Sequence, residues 1–233
     1  MHFLYLSVIA LFPNLVDNLE HAASFTIATG CLLYFLASIA RSRGKFAEVR
    51  LVGKWGGWPT TILLRYQDQT IDKATKARYH KELSSLCGGL QFPSTASEEA
   101  GDPQRADELY RSAIKKLIEL RRGPQYSLIH AENVSYGFRR NLFGLKPAAT
   151  VIIMAVSFLT AGGWFLVTPT PYNLNLIVQS ALAYPHLPLL LLVDIGYAVL
   201  WAWAIQESFV FQAGKEYAEA LLRTLDQRGE AKK

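Results

Sequence analysis

Two ends of this chain are apolar and almost uncharged, and they bracket a polar stretch whose apolar residues recur at helical rather than alternating spacing. The clearest apolar run is 147–168, 22 residues without a charge, opening with Pro147. A helix that crosses about 30 Å of hydrocarbon needs roughly 20 such residues, and proline is well placed at a first helical position. A second run, 187–206, is rich in Leu and carries Trp201 and Trp203 near its end. Between the two, Pro169, Pro171, Pro185 and Pro188 punctuate a charge-free linker, which suits a short outer loop or a partly re-entrant segment. Nearer the N-terminus, 22–40 makes a 19-residue run, whereas 3–16 is only 14 residues long and contains Pro13. That first run is short for a span and also fits an interfacial segment. The expectation is an all-α integral membrane protein with about four transmembrane helices and a helical cytosolic insert between the second and third, three spans being the alternative.

The polar middle reads as three or four helices. Pro59 opens one through Leu64, and Asp72 caps a second with Ala77, Leu83 and Leu86 at roughly helical steps. The strongest pattern follows Asp102 as N-cap and Pro103 as first helical residue: Ala106, Leu109, Tyr110, Ala113, Ile114, Leu117 and Ile118 form one apolar face, and Gly123 stops it. Residues 92–104 read as a loop, and 126–143 as a last helix that hands over to the span beginning at Pro147. The chain thus divides into an N-terminal transmembrane hairpin (1–41), a basic helical cytosolic region (42–146), a C-terminal transmembrane hairpin (147–207) and a cytosolic tail (208–233).

Charge orients this layout. All 24 Lys and Arg residues lie within 41–146 and 215–233, and the apolar stretches have none. Basic residues are retained on the cytoplasmic side of multi-span proteins, so the middle block and both termini are expected inside, in a bacterial cytoplasmic membrane. The middle block carries 19 basic and 11 acidic residues, a net of +8. Such a surface suits nucleotides, nucleic acid or anionic lipid, although topology alone also produces the bias. Cys31 lies in an apolar run and Cys87 in the polar block, which argues against a disulfide framework. The N-terminus lacks a basic stretch ahead of its apolar run, which argues against a cleaved signal peptide.

Catalytic templates are missing. There is no phosphate-binding loop of the Walker type, no HExxH and no CxxC, and the five histidines are scattered without ligand spacing, so neither an enzyme nor a metal or other cofactor is expected. The informative cluster is Tyr136, Phe138, Arg139, Arg140 and Asn141, just before a span. Aromatic rings stack on bases while Arg and Asn hold phosphates or base edges, a combination used for single strands and nucleotides. The same residues also suit a juxtamembrane helix that meets lipid headgroups. Arg78 and His80 are further ligand candidates, although a surface histidine is the plainer view of His80; Arg65, Lys81 and the Trp55–Trp58 turn also offer groups to such a site. Inside the membrane, Asp194 is the one Asp, Glu, Lys or Arg of the 147–206 hairpin. A carboxylate there is costly without water or a partner, which makes it a candidate pore-lining group, or else the partner of a hydroxyl such as Ser157.

In layout the chain resembles the four-span effectors paired with nucleotidyltransferases in bacterial antiphage systems, including the Hailong type. That resemblance implies an oligomeric membrane protein whose cytosolic region senses a nucleotide or oligonucleotide and whose spans then compromise the membrane. A nucleotidyltransferase or nuclease partner goes with it. The competing class is a membrane-anchored scaffold whose helical block binds a protein.

Topology is directly testable. A reporter fused at Ser97 is expected to report from the cytosol; an external signal would reverse the orientation, and an external signal from an N-terminal fusion alone would replace four spans with three.

Overall fold

The structure, a computed structural model, describes residues 19–226, and these are helical throughout with no strand. The helices are α1 (Leu19–Trp55), α2 (Pro59–Leu64), α3 (Lys73–Leu86), α4 (Ala96–Gly101), α5 (Pro103–Leu120), α6 (Ser127–Val167), α7 (Leu174–Ala183), α8 (His186–Ala204) and α9 (Glu207–Arg223), with a 3-10 turn at Pro124–Tyr126. The expected starts hold. Asp72 accepts from the Thr75 N–H at 2.8 Å, Asp102 accepts from the Arg105 N–H at 3.0 Å, and Pro59 and Pro103 open their helices.

Three helices, α1, α6 and α8, are long and apolar enough to cross a membrane. Their apolar side chains point outward, Leu166 at 89% exposure and Phe158 at 79%, as side chains solvated by lipid would. The fourth candidate, 3–16, lies outside the described residues. The linker after α6 holds α7, a short apolar helix tied back to the end of α6: the Trp164 indole N–H donates to Ser180 Oγ at 2.9 Å, and Thr168 Oγ1 donates to the same oxygen at 3.0 Å.

Two helices run longer than their spans. The segment 126–143 does not end before Pro147 but continues through it, so that α6 has 41 residues and a length of about 60 Å. Proline removes a helical hydrogen bond and tends to break a helix, but here the turn leading into Pro147 is held. One turn before it α6 packs on α1, and next to it Lys146 Nζ donates to the carbonyls of Ile205 at 2.6 Å and Ala202 at 3.1 Å. Those are among the last carbonyls of α8, where a helix leaves acceptors unsatisfied and favours a cation.

α1 and α6 cross as an antiparallel pair. A Cβ on Gly144 would fall 2.6 Å from the Arg43 carbonyl carbon, and one on Gly44 would fall 2.9 Å from Asn141 Cα. The two backbones touch, and no larger side chain fits between them. One turn further along α1, on the side of the polar helices, Glu48 accepts from Tyr136 Oη at 2.7 Å and from Arg140 Nη1 at 2.9 Å.

The polar middle helices and α9 close around Leu63, Leu64, Leu83, Tyr110, Leu117, Leu221 and Leu222, all almost fully buried. The last two belong to α9, in the segment expected to be a tail. Its Val210, Ala213, Ala218, Leu221, Leu222 and Leu225 are core residues, which brings the C-terminal part of the chain onto the same side as the middle block. A polar knot lies at the heart of this core. Glu99 is 5% exposed and accepts from the Tyr66 N–H at 3.1 Å and from Tyr110 Oη at 2.8 Å. Glu99 lies in α4, a short helix inside the expected loop; Thr95 caps it, while Glu98 reaches back to the Ser94 N–H at 2.8 Å. Lys76 is buried too and donates at 2.6 Å to the carbonyls of Arg65 and Asp68, closing the turn after α2. Burial holds its ammonium below the usual lysine range. The inward face of α3 is therefore Lys76, Tyr79, His80 and Leu83; Ala77 is exposed, and Leu86 is half-buried.

Replacing Gly144 by Val is expected to destabilise the protein by about 1–3 kcal/mol or more, because the neighbouring atoms are backbone and cannot move aside. Gly137, also in α6, has open space at its Cβ position, so Gly137→Ala is expected to be neutral or stabilising by up to about 1 kcal/mol. Thermal unfolding of the two variants in detergent checks the contrast; equal effects would remove the steric role of the crossing.

Candidate functional site

A groove lies between α5 and α6 and is floored by α9. It consists of two clefts, of about 560 and about 570 Å3, that share Ile118, Asn133 and Tyr217. Each falls within the roughly 300–1,000 Å3 typical of small-molecule sites. α5 contributes Arg111, Ile114, Lys115 and Ile118 to one wall, and α6 contributes Ile129, His130, Asn133, Tyr136 and Arg140 to the other. The floor is Gly214, Tyr217 and Leu221, three positions on one face of α9. Gly214 is required there: a Cβ would come within 2.9 Å of Pro59 Cγ and 3.2 Å of Tyr136 Cε2. Trp58 and Glu48 stand at the membrane-proximal end, and Arg121, Arg122 and Tyr126 at the other.

The lining carries five Lys or Arg residues (Arg111, Lys115, Arg121, Arg122, Arg140) against one carboxylate, Glu48. Their commitments differ. Arg122 pairs with Glu119 at 2.6 Å, and Arg121 donates to Thr224 Oγ1 at 3.1 Å while lying over the Tyr126 ring. Arg111 bonds only a carbonyl of its own turn, at 3.3 Å, and Lys115 has no hydrogen bond or ion pair among the described residues. Uncommitted cations beside aromatic faces are what an anion with a flat ring would need.

Of the residues singled out in the sequence, Tyr136, Arg140 and Trp58 line this groove; the rest do not. Tyr136 is buried, and burial followed by its hydrogen bond to Glu48 pushes its phenol well above the usual range, so it stays protonated and donates. Arg140 pairs with Glu48 while its Nε is buried without a partner. Arg139 turns toward α9, donating to the Phe209 carbonyl at 3.3 Å with its guanidinium over the Phe209 ring and Glu216 at 3.8 Å. Phe138 projects outward at 61% exposure, and Asn141 is used at the crossing with α1. Arg78 lies on the outside of α3 near Asp226, at 3.5 Å.

His80 belongs to the core rather than to the surface or the groove. Its Nε2 sits 2.9 Å from the Leu64 carbonyl oxygen and therefore carries the proton, and its ring stacks on Tyr110. Arg65 makes a two-point ion pair with Asp107 at 2.8 and 2.5 Å and donates to the Gly56 carbonyl at 2.6 Å, fixing the turn that presents Trp58. Among the described residues no group of side chains is arranged to hold a metal ion.

Asp194 lies on the stripe of α8 that faces α6, with Leu187, Leu191, Ala198 and Trp201. Its Oδ2 and the Trp201 indole nitrogen are buried and have no hydrogen-bond partner among the described residues. Neither Ser157 nor any other hydroxyl satisfies that oxygen.

The groove residues missed from the sequence are Arg111, Lys115, Tyr217 and Glu48. Arg111 and Lys115 are one turn apart beside the apolar stripe of α5, a pattern indistinguishable in sequence from an ordinary solvated face. No protein-family model, curated protein or solved structure matches this chain.

Burial depresses the His80 pKa from its ordinary 6.5, since desolvation disfavours the charged ring. The unfolded chain then takes up the proton first, so the His80 contribution to stability is complete above about pH 6.5 and is lost as pH falls below it. Thermal unfolding between about pH 8 and pH 5 is expected to show this decline, and His80→Gln is expected to start lower but vary less with pH. An equally steep decline in the variant would assign the pH dependence to other groups.

Proposed function

We propose that this chain is an oligomeric membrane effector, a channel or membrane-disrupting protein, gated by a nucleotide or oligonucleotide that binds its cytosolic groove in antiphage defence. One observation carries the proposal: α6 is a single helix whose first half walls the groove and whose second half is a candidate span. A ligand that shifts Tyr136 or Arg140 acts on a rigid rod that runs into the membrane. The ligand's phosphates meet Lys115 and Arg111, and its ring stacks on Trp58 or Tyr217. In the membrane half, movement of α6 relative to α8 opens the seam where the unpaired Asp194 oxygen lies, and water entering there supplies the partner it lacks. The partners that go with this function are lipid, further copies of the chain, and a nucleotidyltransferase or nuclease that makes or removes the ligand.

A scaffold function has one observation in its favour. Leu128, Val134 and Phe138 expose more than half of their surface on the cytosolic half of α6, and Leu128 lies about 27 Å along the helix from Lys146, beyond the reach of lipid.

The test uses the full chain in nanodiscs with nucleotides and short single strands. Arg111→Ala combined with Lys115→Ala is expected to weaken binding about tenfold or more and to flatten its salt dependence. Asp194→Asn is expected to leave binding intact while reducing cation flux. Unchanged binding in the double variant would remove the groove from the function, and unchanged flux in Asp194→Asn would remove the pore.

A further inference from the structure

We infer that Glu48 is a built-in competitor for the groove's ligand: it occupies Arg140 in the empty protein, and a phosphate that takes Arg140 must drive Glu48, and with it the cytosolic half of α1, away from α6. The inference rests on the groove being an anion site, as proposed above.

Glu48 is the one acidic residue in the lining, and it belongs to α1 whereas its two donors belong to α6. The same carboxylate oxygen, Oε1, accepts from both Tyr136 at 2.7 Å and Arg140 at 2.9 Å. Glu48 therefore holds Arg140 at one point only. Its Nη2 finds Asn141 Oδ1 at a long 3.4 Å, and its buried Nε has no partner. A guanidinium is a planar fork that binds phosphate through two parallel N–H groups, so an incoming phosphate offers Arg140 a more complete set of bonds than Glu48 does.

Phosphate and carboxylate cannot share the position. The Glu48 and Arg140 side chains are only 11% and 15% exposed, and an anion placed against Arg140 would leave a carboxylate unpaired next to a like charge in a nearly dry site. Relief requires Glu48 to reach water, and its backbone is part of α1. Gly44, one turn earlier, is in backbone contact with α6, so the crossing is the natural pivot for that movement. Ligand binding and separation of the cytosolic halves of α1 and α6 are thereby linked, because the ligand favours the one arrangement in which Glu48 has left.

The experiment uses the full chain in nanodiscs with Cys31 and Cys87 replaced by Ser and spin labels at Val49→Cys and Val134→Cys, both exposed and outside the groove lining. The probe is pyrophosphate. Saturating pyrophosphate is expected to lengthen the distance between the labels, and Glu48→Gln, which keeps the shape and an acceptor for Tyr136, is expected to show the longer distance without pyrophosphate and to bind it about tenfold more tightly. Pyrophosphate binding with no change in distance, or a Glu48→Gln protein that binds no more tightly, would overturn the competition while leaving the groove as an anion site. Absence of pyrophosphate binding in both proteins would instead overturn the anion site, and the competition with it. The distance change in the protein with Glu48 intact decides the question even if Glu48→Gln fails to fold.

Discussion

The architecture depends on the contact between α1 and α6. At Gly44 and Gly144 the two backbones touch, and one turn away Glu48 binds Tyr136 and Arg140. A glycine crossing supplies close approach without side-chain entropy, and the ion pair supplies register, since only one rotation of α1 brings Glu48 to both donors. Buried ion pairs add little net stability because both charges lose water, but removing one partner is severely destabilising. The contact thus specifies the arrangement more than it strengthens it, and it makes the arrangement sensitive to any other anion that reaches Arg140.

That sensitivity is passed on because α6 is not interrupted. Pro147 would ordinarily end or kink the helix, yet Asn141, Gly144 and Lys146, in the turns just before it, clamp α6 to α1 and α8. The polar and apolar halves of α6 therefore form one continuous helix. The Lys146 bonds to the end of α8 extend the linkage to a second candidate span, whose Asp194 and Trp201 keep unpaired polar atoms in the seam with α6. A seam holding unsatisfied groups is held less tightly than a fully packed one, and it is where movement costs least.

The core of the polar helices obeys a different logic. It buries Glu99, Lys76 and His80 in one region, each satisfied at least in part by backbone or by tyrosine hydroxyl. Such a knot orients α2, α3, α4 and α5 relative to one another more strictly than leucines alone would, because each hydrogen bond has a direction.

Periodicity, capping residues and charge segregation were enough to identify three helices long and apolar enough to cross a membrane, the starts of α2, α3 and α5, and the basic helical block between them, because those features depend on residues close in sequence. The amphipathic stripe of α9 was also present, at Val210, Ala213, Ala218, Leu221 and Leu222, but its charged neighbours made it look like a solvated tail. What only the tertiary structure decided is which side chains meet. Tyr136 and Arg140 belong to the groove while Arg139 and Phe138, their neighbours on the same helix, turn elsewhere, since successive residues point about 100° apart. Glu48 lies 88 residues before Tyr136, and no local pattern links them. Arg111 and Lys115 are surface charges by every sequence criterion; they become part of a site only because α9 runs beneath them, at a distance in the chain over which spacing carries no information.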